Sequence, residues 1–149
     1  MFASRPKAAA GELARVCRPG GRVALATWLP DSTVFKMFQV MRPFMAPPPT
    51  PAPPSPFEWG STDRVRALLA NDFDLRFEQG VATYFARDGA AAWETYVTGY
   101  GPTKALAQSL DNSRRAKLKE ALIAFNDSYK TELGISVPRQ YLITLGKRK

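Results

Sequence analysis

"CRPGGRVALATW", residues 17–28, decides how this chain is read. The stretch before it, "KAAAGELARVCR" (7–18), mixes apolar and charged residues at the helical period and sets Ala9, Leu13, Val16 and Cys17 on one face. Pro19, Gly20 and Gly21 then stop the helix, because proline cannot continue it and glycine admits positive φ. "RVALATW" (22–28) follows as an apolar run without clean alternation, the pattern of a strand covered on both faces of a parallel sheet. Helix, tight turn and buried strand belong to the middle of an α/β domain. Only sixteen residues precede Cys17 here.

Working outward, Pro6 suits the first turn of the opening helix. After the strand, Asp31 or Ser32 can cap a helix over "TVFKMFQVMRPF", with Val34, Phe38 and Met41 in one stripe. Eight of the 13 prolines fall between Pro43 and Pro56, so that segment is an extended connector and the proline excess is local. Ser61 or Thr62 caps a short helix with Val65, Leu68 and Leu69 inward. Phe73, Leu75 and Phe77 alternate with charged neighbours as a half-buried strand, and Gly80 marks a bend before a second stretch at 81–85. Asp88 caps a helix carrying Trp93, Tyr96, Val97 and Tyr100. Leu118, Leu122, Phe125 and Tyr129 mark a longer helix, with Gly134 closing it, and Tyr141, Ile143 and Leu145 share one side of a closing strand.

Composition narrows the chemistry. With no His and only Cys17, a classic zinc site or a His or Cys–His base is excluded within the chain, and so is a disulfide framework. Cys17 reads as a small buried hydrophobe. The formal charge of +8 favours polyanions in general, but the positive residues are scattered, with modest clusters at 114–119 and 147–149, so a solvated basic surface is expected and no nucleic-acid partner. The N-terminal stretch lacks the apolar core of a signal peptide, and no run approaches the ~18 apolar residues of a membrane span. A cytoplasmic location is expected.

The element order, together with "AAAGELARVCRPGGRVALATW", resembles the second half of the class I S-adenosylmethionine-dependent methyltransferases, in particular the small-molecule group related to the ubiquinone and menaquinone biosynthesis enzymes. In that family a helix ends in an Arg/Lys-Pro-Gly-Gly turn before the fifth strand, which here matches Arg18, Pro19, Gly20, Gly21 and the strand from Arg22. "PFEWGSTDRVRALL" and "PRQYLITLGKRK" also look like family members, so the likeness covers nearly all 149 residues. It implies an α/β fold, a partial Rossmann-like remnant with a three-stranded mixed sheet (strands near 22–28, 73–79 and 139–146), in one truncated domain over 1–149. The closing strand would then lie between the first strand and the strand from Phe73.

The family's glycine-rich cofactor loop follows its first strand, and this chain has no Gly-x-Gly-x-Gly. The resemblance therefore implies a fragment that holds no S-adenosylmethionine alone and would bind it only when completed by an N-terminal half. Trp28, Trp93, Tyr96 and Tyr100 are the candidates for lining a small-molecule acceptor pocket, against the plainer reading of helix-packing aromatics. Pro19, Gly20 and Gly21 are turn residues, not ligand contacts. Asp88 and Glu94 read as a helix cap and a solvated face, not bases. No metal is expected. Expected partners are a second copy or an N-terminal methyltransferase half, the latter making the chain one subunit of a split enzyme; a self-sufficient small-ligand binding module is the other alternative. An open backbone edge is expected along residues 22–28.

Overall fold

The structure, a computed structural model, describes residues 3–149. The described residues form six α-helices and a four-stranded antiparallel sheet, an α/β arrangement. In chain order these are α1 (Pro6–Val16), β1 (Arg22–Trp28), α2 (Thr33–Met41), α3 (Thr62–Leu69) and β2 (Phe73–Ala86), then α4 (Gly89–Gly99), α5 (Gly101–Ser109), α6 (Asn112–Asp127), β3 (Lys130–Thr131) and β4 (Gly134–Arg148). A 3₁₀ turn, Pro56–Gly60, precedes α3. The chain divides into two compact units, one of Met1–Phe35, Pro48–Ala82 and Gln140–Lys149, the other of Lys36–Pro47 and Thr83–Arg139.

The strand order is β1-β4-β2, with the short β3 also paired to β4. β1 meets β4 antiparallel from Arg22↔Lys147 to Trp28↔Tyr141. The Lys149 N–H donates to the Asp72 carbonyl at 3.1 Å, which ties the end of β4 to the start of β2. The sheet is therefore antiparallel, where a mixed sheet was expected. The last strand does lie between the other two.

In the first unit, α1, α3 and the 3₁₀ turn cover one face of the sheet. Ala10, Ala14, Trp59, Val65, Leu69 and Phe73 form its core, with Val23, Leu25 and Leu75 packed against it. The helix α1 meets this core through Ala10 and Ala14, with Ala9, Leu13 and Cys17 of the expected face packed beside them; Val16, the fourth residue of that face, is 66% exposed. Alanines give the closest approach of helix to sheet, and a hydrophobic-period count weights them too little. The opposite face of β1 carries Ala24 and Ala26, both exposed. The expectation of cover on both faces fails for that reason: the run lacks polar alternation only because its outward residues are alanines.

The Pro-Gly-Gly turn works as expected. Gly20 has φ +74°, and its N–H and the Gly21 carbonyl both bond to the Arg148 backbone (2.9 and 2.8 Å). Ser61 caps α3, and Ser32 accepts from Phe35 N–H at the start of α2. Residues 45–55 are exposed, in keeping with a connector.

In the second unit α4, α5 and α6 pack around Trp93, Tyr96, Ala107, Leu118 and Leu122, with Met37 and Met41 of α2 in the same core. Two strands are longer than the sequence suggests. β2 runs unbroken through Gly80, and β4 begins at Gly134 (φ +114°), not near 139.

Candidate functional site

The aromatic candidates are distributed between the units. In the second unit α4 places Trp93, Tyr96 and Tyr100 on its inner side, because positions 93, 96 and 100 recur at the helical period. Trp93 and Tyr96 are each 3% exposed and sit in the core, while Tyr100 is half-buried. Tyr84 stacks on Tyr96 at 5.6 Å between centroids, and Tyr100 tilts against Tyr96 at 6.2 Å.

Arg139, which the sequence reading did not single out, completes this cluster. Its guanidinium lies 4.2 Å from the Tyr84 ring centroid, and its Nη2 donates to the Tyr96 hydroxyl at 3.2 Å. The Tyr96 hydroxyl in turn donates to Asn126 Oδ1 at 3.1 Å, and Asn126 Nδ2 donates to the Leu122 carbonyl at 2.7 Å. Burial pushes the Tyr96 and Tyr100 phenols above their ordinary value, with the charge of Arg139 opposing the rise. Both phenols are neutral at physiological pH, so they act here as hydrogen-bonding and packing groups, not as bases. An Arg before the closing strand's apolar residues was visible in the sequence, but nothing local pairs it with tyrosines 43 and 55 positions away.

Trp28 belongs to the first unit, half-buried at the end of β1 opposite Tyr141. With Ala26, Thr27 and Ile143 these two rings line a shallow depression of about 340 Å³ on the open sheet face. The backbone at Trp28 is fixed from behind. Gly60 lies directly against its carbonyl, where any Cβ would collide, and Thr27 Oγ1 donates to the Trp59 carbonyl at 2.8 Å. A second depression on the same face is rimmed by Arg22, Arg76, Lys147 and Asp74.

Does any strand-to-helix turn suit a nucleotide-type cofactor? The turn from β2 into α4 carries one glycine, Gly89. Its N–H donates to Asp127 Oδ1 at 3.0 Å, and Asp88 Oδ1 accepts from Ala91 N–H at 2.7 Å. Carboxylates of the chain itself thus occupy the helix start, and the Ile123 carbonyl and Asp127 fill the space beside Gly89. Gly99 and Gly101 flank Tyr100 between two helices, not after a strand. These residues do not fit S-adenosylmethionine. Among the described residues no group of three or more His, Cys, Asp or Glu could hold a metal ion. Asp88 is a cap, and Glu94 is exposed.

No family model matches the chain. Uncharacterized protein Rv1405c of Mycobacterium tuberculosis (strain ATCC 25618 / H37Rv) is 33% identical over 152 residues, which cover 99% of this chain and 55% of that protein. Uncharacterized protein Mb1440c of Mycobacterium bovis (strain ATCC BAA-935 / AF2122/97) matches equally. Uncharacterized protein Rv1403c of Mycobacterium tuberculosis is 38% identical over 84 residues, 56% of this chain and 30% of that protein. The chain spans about half the length of these first curated relatives. Among the described residues no helix is long and apolar enough to cross a membrane.

Proposed function

We propose that the chain is the acceptor-side portion of a class I methyltransferase-like, Rossmann-related fold, without a cofactor site of its own. The strand order β1-β4-β2 carries this reading. A final strand lying between the strand that follows the Pro-Gly-Gly turn and the strand from Phe73 is what the resemblance implies, and short local pairing does not require it. In this reading the Trp28–Tyr141 depression is the place for a small apolar acceptor, since two ring faces above a strand end offer stacking area with few polar groups. In this reading the chain by itself does not transfer methyl groups, because methyl transfer depends on holding cofactor and acceptor in line and the reading assigns it only the acceptor side. The length of the relatives favours a second reading, in which a cofactor-binding half completes the enzyme.

The acceptor side is tested by fluorescence. Trp59 and Trp93 are 5% and 3% exposed, so Trp28 is the tryptophan a ligand can reach. Titration with 2-naphthol is expected to change the emission saturably, and Trp28→Phe is expected to abolish the change. No saturable change, or an unaltered one in Trp28→Phe, would overturn the acceptor-side assignment.

A further inference from the structure

A cation that leaves water needs a counter-charge, because a medium of low dielectric penalises the charged form. Three cationic side chains of the described residues are half-buried, those of Arg64, Arg139 and Arg148. Arg64 pairs with Glu58 at 3.0 Å. Arg148 pairs with Asp72 at 3.2 Å and also donates to the Ala14 and Asp72 carbonyls. Arg139 has no carboxylate within ion-pair distance among the described residues.

The Arg139 guanidinium is nevertheless held in place. Its bond to the Tyr96 hydroxyl fixes one nitrogen, the Tyr84 ring supports it at 4.2 Å, and Tyr96 is itself locked to Asn126. That bond takes one donor of a fork that offers several. The Tyr100 hydroxyl is a second unengaged donor. It has no hydrogen-bond partner among the described residues, although its ring is half-buried, and it lies within reach of the Arg139 charge. The rings of Tyr84, Tyr96 and Tyr100 surround these donors with aromatic surface.

We propose that Arg139 and Tyr100 bind the carboxylate of a small aromatic carboxylic acid, whose ring lies against the tyrosine rings of β2 and α4. A planar carboxylate accepts two parallel N–H bonds from a guanidinium, which a neutral amide or alcohol does not. One cation balances one negative charge. A phosphate monoester brings about two, and the second would stand uncompensated among the phenol rings. All of these residues belong to the second unit. The proposal is therefore independent of the methyltransferase reading and of the Trp28–Tyr141 depression.

Calorimetric titration of the full chain with benzoate is expected to give a saturable isotherm with a dissociation constant of ~1 mM or below. Benzamide has the same shape without the charge and is expected to bind at least ~10-fold more weakly. No saturable heat with benzoate, or equal affinity for benzamide, would overturn the proposal. Tighter binding of phenyl phosphate than of benzoate would overturn the carboxylate assignment. Benzoate is expected to raise the melting temperature of the parent chain by mass action and to leave that of Arg139→Gln unchanged. A purely structural Arg139 would lower the melting temperature of the variant yet preserve the benzoate shift, and that result would contradict the proposal. Should Arg139→Gln fail to fold, Tyr100→Phe decides, because it keeps the ring and removes a donor to the carboxylate. It is expected to weaken benzoate binding about 5-fold, and an affinity equal to that of the parent would overturn the proposal.

Discussion

Arg139 and Tyr96 are joined by a hydrogen bond of 3.2 Å from the guanidinium to the phenol oxygen, and that phenol is also the donor to the fully buried Asn126. The second unit thus carries a polar chain, Arg139 to Tyr96 to Asn126, through an apolar helical core. Tyr96→Phe keeps the ring and removes the link. It leaves Asn126 Oδ1 without its donor in a dry site, a loss expected to cost ~1–3 kcal/mol. Chemical denaturation should show a lower midpoint with an unchanged slope. A midpoint equal to that of the parent chain would mean that the hydroxyl contributes nothing net.

The same phenol sets an alkaline limit. Unfolded tyrosine loses its proton near 10.0, whereas burial holds Tyr96 and Tyr100 protonated to higher pH in the folded chain. Above that value the unfolded state binds fewer protons than the folded one, so stability falls as pH rises through the folded pKa values and is complete below the unfolded one. Unfolding free energy measured from about pH 9 to about pH 12 should decline, and Tyr96→Phe should decline less steeply. Equal slopes in the two proteins would refute the assignment.

Asp88 makes the opposite prediction at acid pH. The Ala91 N–H, and then the Arg87 side chain, hold its carboxyl below the usual carboxylate range. Its contribution is present above the unfolded value and lost as pH falls through the folded one. Asp88→Ala should lower the melting temperature at neutral pH, and Asp88→Asn should restore most of it, because asparagine also caps helices. Failure of asparagine to rescue would show that charge, not capping geometry, matters there.

Two glycines separate packing from chain entropy. At Gly60 a Cβ would run into the Trp28 carbonyl, so Gly60→Ala should destabilise by ~1–3 kcal/mol through forced displacement. At Gly99 nothing lies within reach of a Cβ and φ is not positive, so Gly99→Ala should stabilise by ~0.4–1 kcal/mol. Thermal unfolding of the pair checks both signs.

How legible was this in the sequence? The Pro19–Gly21 turn and the strand after it were readable because proline and glycine act locally. β4 was misread at its start: Pro138 interrupts the apolar pattern, and the strand continues around it from a glycine with positive φ. On α1 the pattern gave Ala9, Leu13 and Cys17, which do pack on the core, but passed over Ala10 and Ala14 at its centre, because alanine is nearly neutral on any hydrophobic scale yet packs closest. Trp93 and Tyr96 were readable as helix-packing aromatics, with a pocket as the alternative, and they do lie in the core. Their depth depends on α6 and Tyr84, which pack against α4 from other parts of the chain, and no local pattern carries that. Arg139 was missed for the same reason.

The central claim, an acceptor-side portion without its own cofactor site, is tested most directly by calorimetric titration of the chain with S-adenosylmethionine. The occupied start of α4 and the absence of a glycine loop after any strand predict no saturable heat up to about 100 μM ligand, that is, no affinity beyond roughly −5.5 kcal/mol. A saturable isotherm with a dissociation constant below that concentration would contradict the account.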